Sequence, residues 1–135
     1  MSVRFLDRLA STDDGLGPLL LRVPVGTIFA AHGAQKLFGW FGGHGLAGTA
    51  RFFETIGLSP GGPLALLAGG AEFVGGLALI LGLMVRPAAA ALAFTMLVAI
   101  VTVHLDKGFF AAQGGYEFAL ALGAAALSLA ASANS

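Results

Sequence analysis

Long apolar runs, parted by short polar or glycine-rich breaks, dominate this chain. Four of them, Leu19–Phe38, Leu64–Val85, Pro87–Leu105 and Tyr116–Ala133, each approach the ~20 residues that a helix needs to cross a bilayer core of about 30 Å. The pattern therefore predicts four membrane-spanning helices. The breaks support this division. Phe38-Gly39-Trp40-Phe41-Gly42-Gly43 ends the first run with the aromatic and glycine residues of a membrane interface. In the long connection that follows, Thr49–Ile56 sets Phe52, Phe53 and Ile56 on one side and Arg51 and Glu54 towards another. That is the pattern of a short amphipathic helix lying in the interface. Gly57 stops it, and Pro60-Gly61-Gly62-Pro63 turns the chain into the second span. Arg86-Pro87 reads as a tight turn with proline opening the third span. Asp106-Lys107-Gly108 closes that span, and Phe109 to Gly115 leads into the fourth.

The expected fold is an all-α membrane protein: a four-transmembrane-helix bundle with a short interfacial helix between spans one and two, in one domain over residues 1–135. Residues 1–15 read as a short polar arm. Arg22, in the first turn of span one, is expected to snorkel its stem to the headgroups, and Pro24 lies near enough to the start to be tolerated.

Composition agrees with this division. Of 135 residues, 57% are hydrophobic and 10% charged, against roughly 25% charged in ordinary soluble domains. Net charge is zero and the basic residues are scattered, so nothing resembles a nucleic-acid footprint. Cysteine is absent, which excludes disulfides, thiolate-held iron–sulfur clusters and covalently attached haem. No zinc-ligand spacing is present either. Electrons in any redox role must then ride on another carrier, such as a non-covalent quinone or a partner subunit. Arg22 and the Gln35-Lys36-Leu37-Phe38 sequence argue against a cleaved signal peptide.

Ionisable residues inside apolar spans mark where function is sought, because burying charge in a bilayer is costly. At 1.5 Å per residue, His32, Glu72, His104, Tyr116 and Glu117 fall in the same half of the membrane as Lys36. Arg22 falls in the other half. Arg4, Arg8, Arg22 and Arg86 on the side of the termini, against Lys36, Arg51 and Lys107 opposite, predict cytoplasmic termini in the cell (inner) membrane. The polar layer then faces outward.

His32, Gln35 and Lys36 share a helix face. Ala65, Gly69 and Glu72 share another, and small residues there let a neighbouring helix approach closely. His32 with Glu72 is the candidate proton-handling pair, with Gln35, Lys36, His104, Tyr116 and Glu117 as candidate binding residues. A structural hydrogen bond between His32 and Glu72 is the bland alternative. Gly69-Gly70-Ala71-Glu72-Phe73 and Gly114-Gly115-Tyr116-Glu117-Phe118 also suggest an internal repeat of two hairpins, in which the two glutamates would be related.

His32-Gly33-Ala34-Gln35-Lys36-Leu37-Phe38-Gly39-Trp40-Phe41-Gly42-Gly43 resembles the signature stretch of the DoxX family. Phe52-Phe53-Glu54, Glu72-Phe73-Val74-Gly75-Gly76, Met84-Val85-Arg86-Pro87-Ala88 and Gly115-Tyr116-Glu117-Phe118 extend the likeness over nearly all the chain after Arg22. The resemblance implies a four-helix membrane protein similar to small subunits linked to thiosulfate:quinone oxidoreductase and terminal quinol oxidase. It implies partners in a membrane redox complex, as in actinobacterial relatives associated with a superoxide dismutase and a sulfurtransferase. Three roles stay open at this point: a quinone-interacting or anchoring subunit of a redox assembly, a non-catalytic scaffold, and a small-solute transporter.

Overall fold

The computed structural model describes residues 16–131. Among the described residues five α-helices follow one another: α1 (Leu16–Phe38), α2 (Gly45–Thr55), α3 (Gly61–Leu81), α4 (Val85–Ala99) and α5 (Glu117–Ala131). Short 3-10 turns at Trp40–Gly42 and Ala111–Gln113 connect them, and α4 continues through a π-helical turn, Ile100–His104, and a 3-10 turn, Leu105–Lys107. Among the described residues there is no strand. The chain is an all-α membrane bundle. Leu16–Phe38, Gly61–Leu81 and Val85–Lys107 are long and apolar enough to cross a membrane. The fourth expected span is shorter: the 15 described residues of α5 extend about 22 Å and run to the edge of the described chain.

The boundaries moved where local chemistry outweighs hydropathy. α3 starts at Gly61 rather than Leu64, because its first amide has a ready acceptor: Glu54 Oε2, 3.0 Å from Gly61 N. A carboxylate at a helix N-terminus also meets the positive end of the helix dipole. At its other end α3 stops at Leu81 instead of reaching Val85, since Gly82 takes the left-handed conformation (φ 75°) that commonly ends helices. The tight turn is therefore at Gly82–Met84, not Arg86-Pro87, and both of those residues lie inside α4. Pro87 still sits in the first turn, where its missing N–H is harmless. Pro24 is well inside α1, which begins at Leu16, so the helix forgoes one internal hydrogen bond there. The interfacial helix is real, and it begins earlier than Thr49, at Gly45.

α1 packs chiefly on α3, and α4 chiefly on α5. Glycines set the α1–α3 distance. A Cβ on Gly26 would stand 2.6 Å from the Gly76 carbonyl oxygen, one on Gly33 would collide with the Phe73 backbone, and one on Gly76 would collide with Ala30 N. Lipid competes equally well for apolar side chains, so close backbone approach and dispersion are what hold such helices together. Elsewhere Gly75 receives Leu92 of α4, and Ala89, Leu92, Ala126 and Leu129 complete a buried seam through the four long helices.

Gly70, on the same helix as Gly76, has nothing within 4 Å of an added Cβ. Gly70→Ala should therefore hold or raise thermal stability, by up to about 1 kcal/mol from helix propensity. Gly76→Leu should lower it by about 1–3 kcal/mol or more through overpacking. Equal melting shifts for the two variants in detergent or nanodiscs would contradict this packing.

Candidate functional site

Arg22 and Arg86 apart, the ionisable residues of the four long helices lie in one half of the bundle. Lys36 stands in the last turn of α1, and Glu72 lies in mid-α3, eleven residues past Gly61. Their side chains meet: Lys36 Nζ donates to Glu72 Oε1 at 2.7 Å, with the glutamate 2% exposed and the lysine 25%. Two features place them together. The α1–α3 glycine contacts bring the helices close, and the added-Cβ position on Gly69 is 3.1 Å from Lys36 Cβ, so the lysine stem runs over a bare helix surface. A buried carboxylate needs a counter-charge or hydrogen-bond donors, and Lys36 is the group within reach.

This revises the expected pairing. Glu72 is partnered by Lys36, and His32 makes a different bond: its Nδ1 donates to the Ile28 carbonyl oxygen, one turn back, at 2.8 Å. Its ring lies 6.0 Å, centroid to centroid, from Phe118 of α5. His104 is held in the same manner from the opposite hairpin, Nδ1 donating to the Gly114 carbonyl oxygen at 2.7 Å. Because a carbonyl oxygen only accepts, each ring carries its proton on Nδ1 and keeps Nε2 as an acceptor when singly protonated. Both residues line one cavity.

That cavity, of 1130 Å³, lies between the α1–α3 and α4–α5 pairs, and α2 also contributes to its lining. Its walls are mainly apolar, supplied by residues such as Phe29, Leu67, Phe94, Val98 and Leu122. Its polar groups are His32, Gln35, Lys36 and Glu72 from α1 and α3, Thr95, Thr102 and His104 from α4 and its continuation, and His44, Thr49 and Arg51 from α2 and the residue before it. The hydroxyls of Thr95 and Thr102 donate to the Ala91 and Val98 carbonyls one turn back, at 2.9 and 2.7 Å. Gln35 Nε2 donates to the Phe41 carbonyl at 3.2 Å and so pins the left-handed Phe41 (φ 54°) beside the end of α1.

Tyr116 and Glu117 play other parts. Glu117 opens α5 and its carboxylate accepts from Ala111 N at 2.9 Å, closing the 3-10 turn before the helix. Tyr116 stacks edge-on against Phe109 at 5.4 Å, within an aromatic set typical of a bilayer interface. The structure does not place either of them among the cavity walls. It also separates the two glutamates, one buried in mid-helix and the other at a helix start, so they do not occupy related positions. The hairpin pairing persists in another form. Arg22 Nε donates to the Leu79 carbonyl oxygen at the end of α3 (2.8 Å), and Arg86 Nε to the Ala130 carbonyl oxygen of α5 (3.3 Å). Arg22 thus satisfies a helix-end acceptor where snorkelling to the headgroups was expected.

Residues not anticipated from the sequence include Phe118, Thr95, Thr102 and His44. A usable signal existed for the second half of α4: Ile100-Val101-Thr102-Val103 is a run of β-branched residues that strain an α-helix. The chain relaxes there into a π turn, a feature frequent at functional sites, and the turn ends at His104. His44 carries no such signal, because it lies outside every apolar run.

Comparison with known proteins agrees with this architecture. The family model described as DoxX matches residues 17–105, a stretch that stops before α5. A protein of Bacillus subtilis (strain 168) named "Putative oxidoreductase CatD" is 37% identical over 103 residues, covering 76% of this chain and 69% of that protein. No solved structure gives a significant match. With a family model over most of its length and a relative of this similarity, the chain belongs to the DoxX family.

Proposed function

We propose that this protein is a membrane-embedded subunit of a redox assembly in the cell membrane, and that its cavity takes the ring of a quinone-type molecule from the bilayer. The observation that carries this is the cavity itself: 1130 Å³ of mainly apolar space with its charged and imidazole groups clustered towards one end. Ligand sites of drug-like molecules are commonly about 300–1,000 Å³, apolar, with a few placed polar groups. An isoprenoid quinone has that division, a polar ring on a hydrocarbon tail. The name of the Bacillus relative supports a redox setting. The chain has no cysteine, so electrons are carried by the quinone or by partner subunits. In this reading His32, His104 and the Lys36–Glu72 pair face the ring, and protons leave or reach it through those groups. Gln35 positions the loop at Phe41 behind them.

One observation favours a second reading, a scaffold. The Lys36–Glu72 bond joins α1 to α3, and such a pair also serves helix packing alone. The two separate on purification in native lipid, with extraction and identification of bound quinone, repeated for Glu72→Gln. The quinone reading expects quinone with the native protein and at least several-fold less with the variant, at unchanged helicity. Absence of quinone from the well-folded native protein would leave the scaffold.

For the orientation we follow the positive-inside rule, counting Arg4, Arg8, Arg22 and Arg86 against Lys36, Arg51 and Lys107. Arg22 and Arg86 mark one end of the bundle; Lys36, Arg51 and Lys107 lie at the other, beside Glu54, Glu72, Asp106 and Glu117. The short, acid-free Gly82–Val85 turn beside Arg86 is assigned to the cytoplasm, and with it both termini. The cavity end then faces outward. Because the chain lacks cysteine, single reporters are clean: Asp106→Cys should react with an impermeant maleimide on intact cells, and Leu83→Cys only after lysis. The reverse pattern would invert the topology.

A further inference from the structure

Resting on the quinone reading above, the hydrogen-bond polarity of the cavity carries that reading one step further. The threonine hydroxyls of the lining, one proton each of Gln35 and Lys36, and one ring proton of each of two histidines are committed to the protein. Thr95 and Thr102 give their hydroxyl protons to backbone carbonyls, and Thr49 points its hydroxyl at the Lys36 carbonyl. Gln35 gives an amide proton to Phe41 O, and Lys36 gives one ammonium proton to Glu72. His32 and His104 each give Nδ1–H to a carbonyl. Singly protonated, each of these cavity-lining rings therefore keeps a lone pair on Nε2.

A cavity with imidazole acceptors on opposite hairpins suits a ligand that brings its own donors. We infer that the site takes the reduced, dihydroxy form of the ring, a hydroquinone with an apolar tail, in preference to the oxidised quinone. The hydroquinone has two O–H groups to donate to His32 Nε2 and His104 Nε2. The oxidised ring has only carbonyl acceptors, which can be met by the remaining N–H groups of Lys36, Gln35, Arg51 and His44. The oxidised ring leaves both imidazole acceptors unpaired, a mismatch that hydrogen-bonding sites discriminate against. His32 and His104 are thus the residues that read the redox state of the ligand.

The test uses the full-length protein in nanodiscs under anaerobic conditions. The probes are a decyl-substituted 1,4-hydroquinone, its 1,4-benzoquinone, and the dimethyl ether of the hydroquinone, which keeps the shape and lacks both donors. Two hydrogen bonds at ~0.5–1.5 kcal/mol each predict binding of the hydroquinone about tenfold tighter than either other probe. His32→Phe keeps the ring against Phe118 and removes the nitrogen; it and His104→Phe should each cut that ratio about threefold, with helicity unchanged as the folding check. Equal affinity for hydroquinone and quinone, or tighter binding of the quinone, overturns this inference while the cavity reading stands. A ratio unmoved by both histidine variants also overturns it. Failure of all three probes to bind overturns both.

Discussion

A carboxylate in a bilayer has no water to turn to, and that constraint organises one whole end of this protein. Glu72 is sequestered in the middle of α3, 2% exposed, and Lys36 reaches it from the last turn of α1. The contact requires that α1 and α3 nearly touch. Gly26, Gly33 and Gly76 supply that approach, because a methyl group at any of them would meet the partner's backbone. Ion pair and glycine contacts are therefore one arrangement: the glycines let the helices close, and closure brings the charge its partner.

The cavity is the counterpart of that closeness. With α1 drawn against α3, and α4 against α5, the two hairpins leave space between them towards the polar end. The hairpins meet at pairs such as Gly75 with Leu92 and His32 with Phe118. α4 bends its hydrogen-bonding pattern at Ile100–His104, so that Thr102 and His104 face this space. The backbone anchors of the two histidines set which nitrogen each ring presents. Stability and site chemistry thus arise from the same few helix contacts, which is how a chain with little polar surface holds a polar site.

Much of this was legible in the sequence. Apolar runs of membrane length announce helices whatever their partners, and the small-residue faces around Gly69 and Gly76 announced where helices approach. The gathering of His32, Lys36, Glu72 and His104 at one end followed from counting residues along antiparallel spans. The identity of Glu72's partner did not. His32 and Lys36 are one turn apart on one face, and spacing alone does not say which of them reaches across; the answer depends on the rotation of α1 against α3 and on the bare surface at Gly69. Hydropathy also missed the true turn at Gly82–Met84, because Leu83, Met84 and Val85 are as apolar as the spans they separate. The repeated glutamate motif misled for a related reason: similar letters fall in mid-helix in one hairpin and at a helix start in the other.

The central claim is that Lys36 and Glu72 form a buried pair that holds the polar end together, and a double-mutant cycle in nanodiscs reads it directly. Lys36→Met leaves Glu72 without its counter-charge and should cost about 3–5 kcal/mol. Glu72→Gln should cost less, because the quarter-exposed lysine retains access to the headgroups. The double variant Lys36→Met with Glu72→Gln should recover much of the loss, leaving a coupling well above the ~0.5 kcal/mol scatter of independent sites. Losses that simply add would contradict the pair and the account built on it.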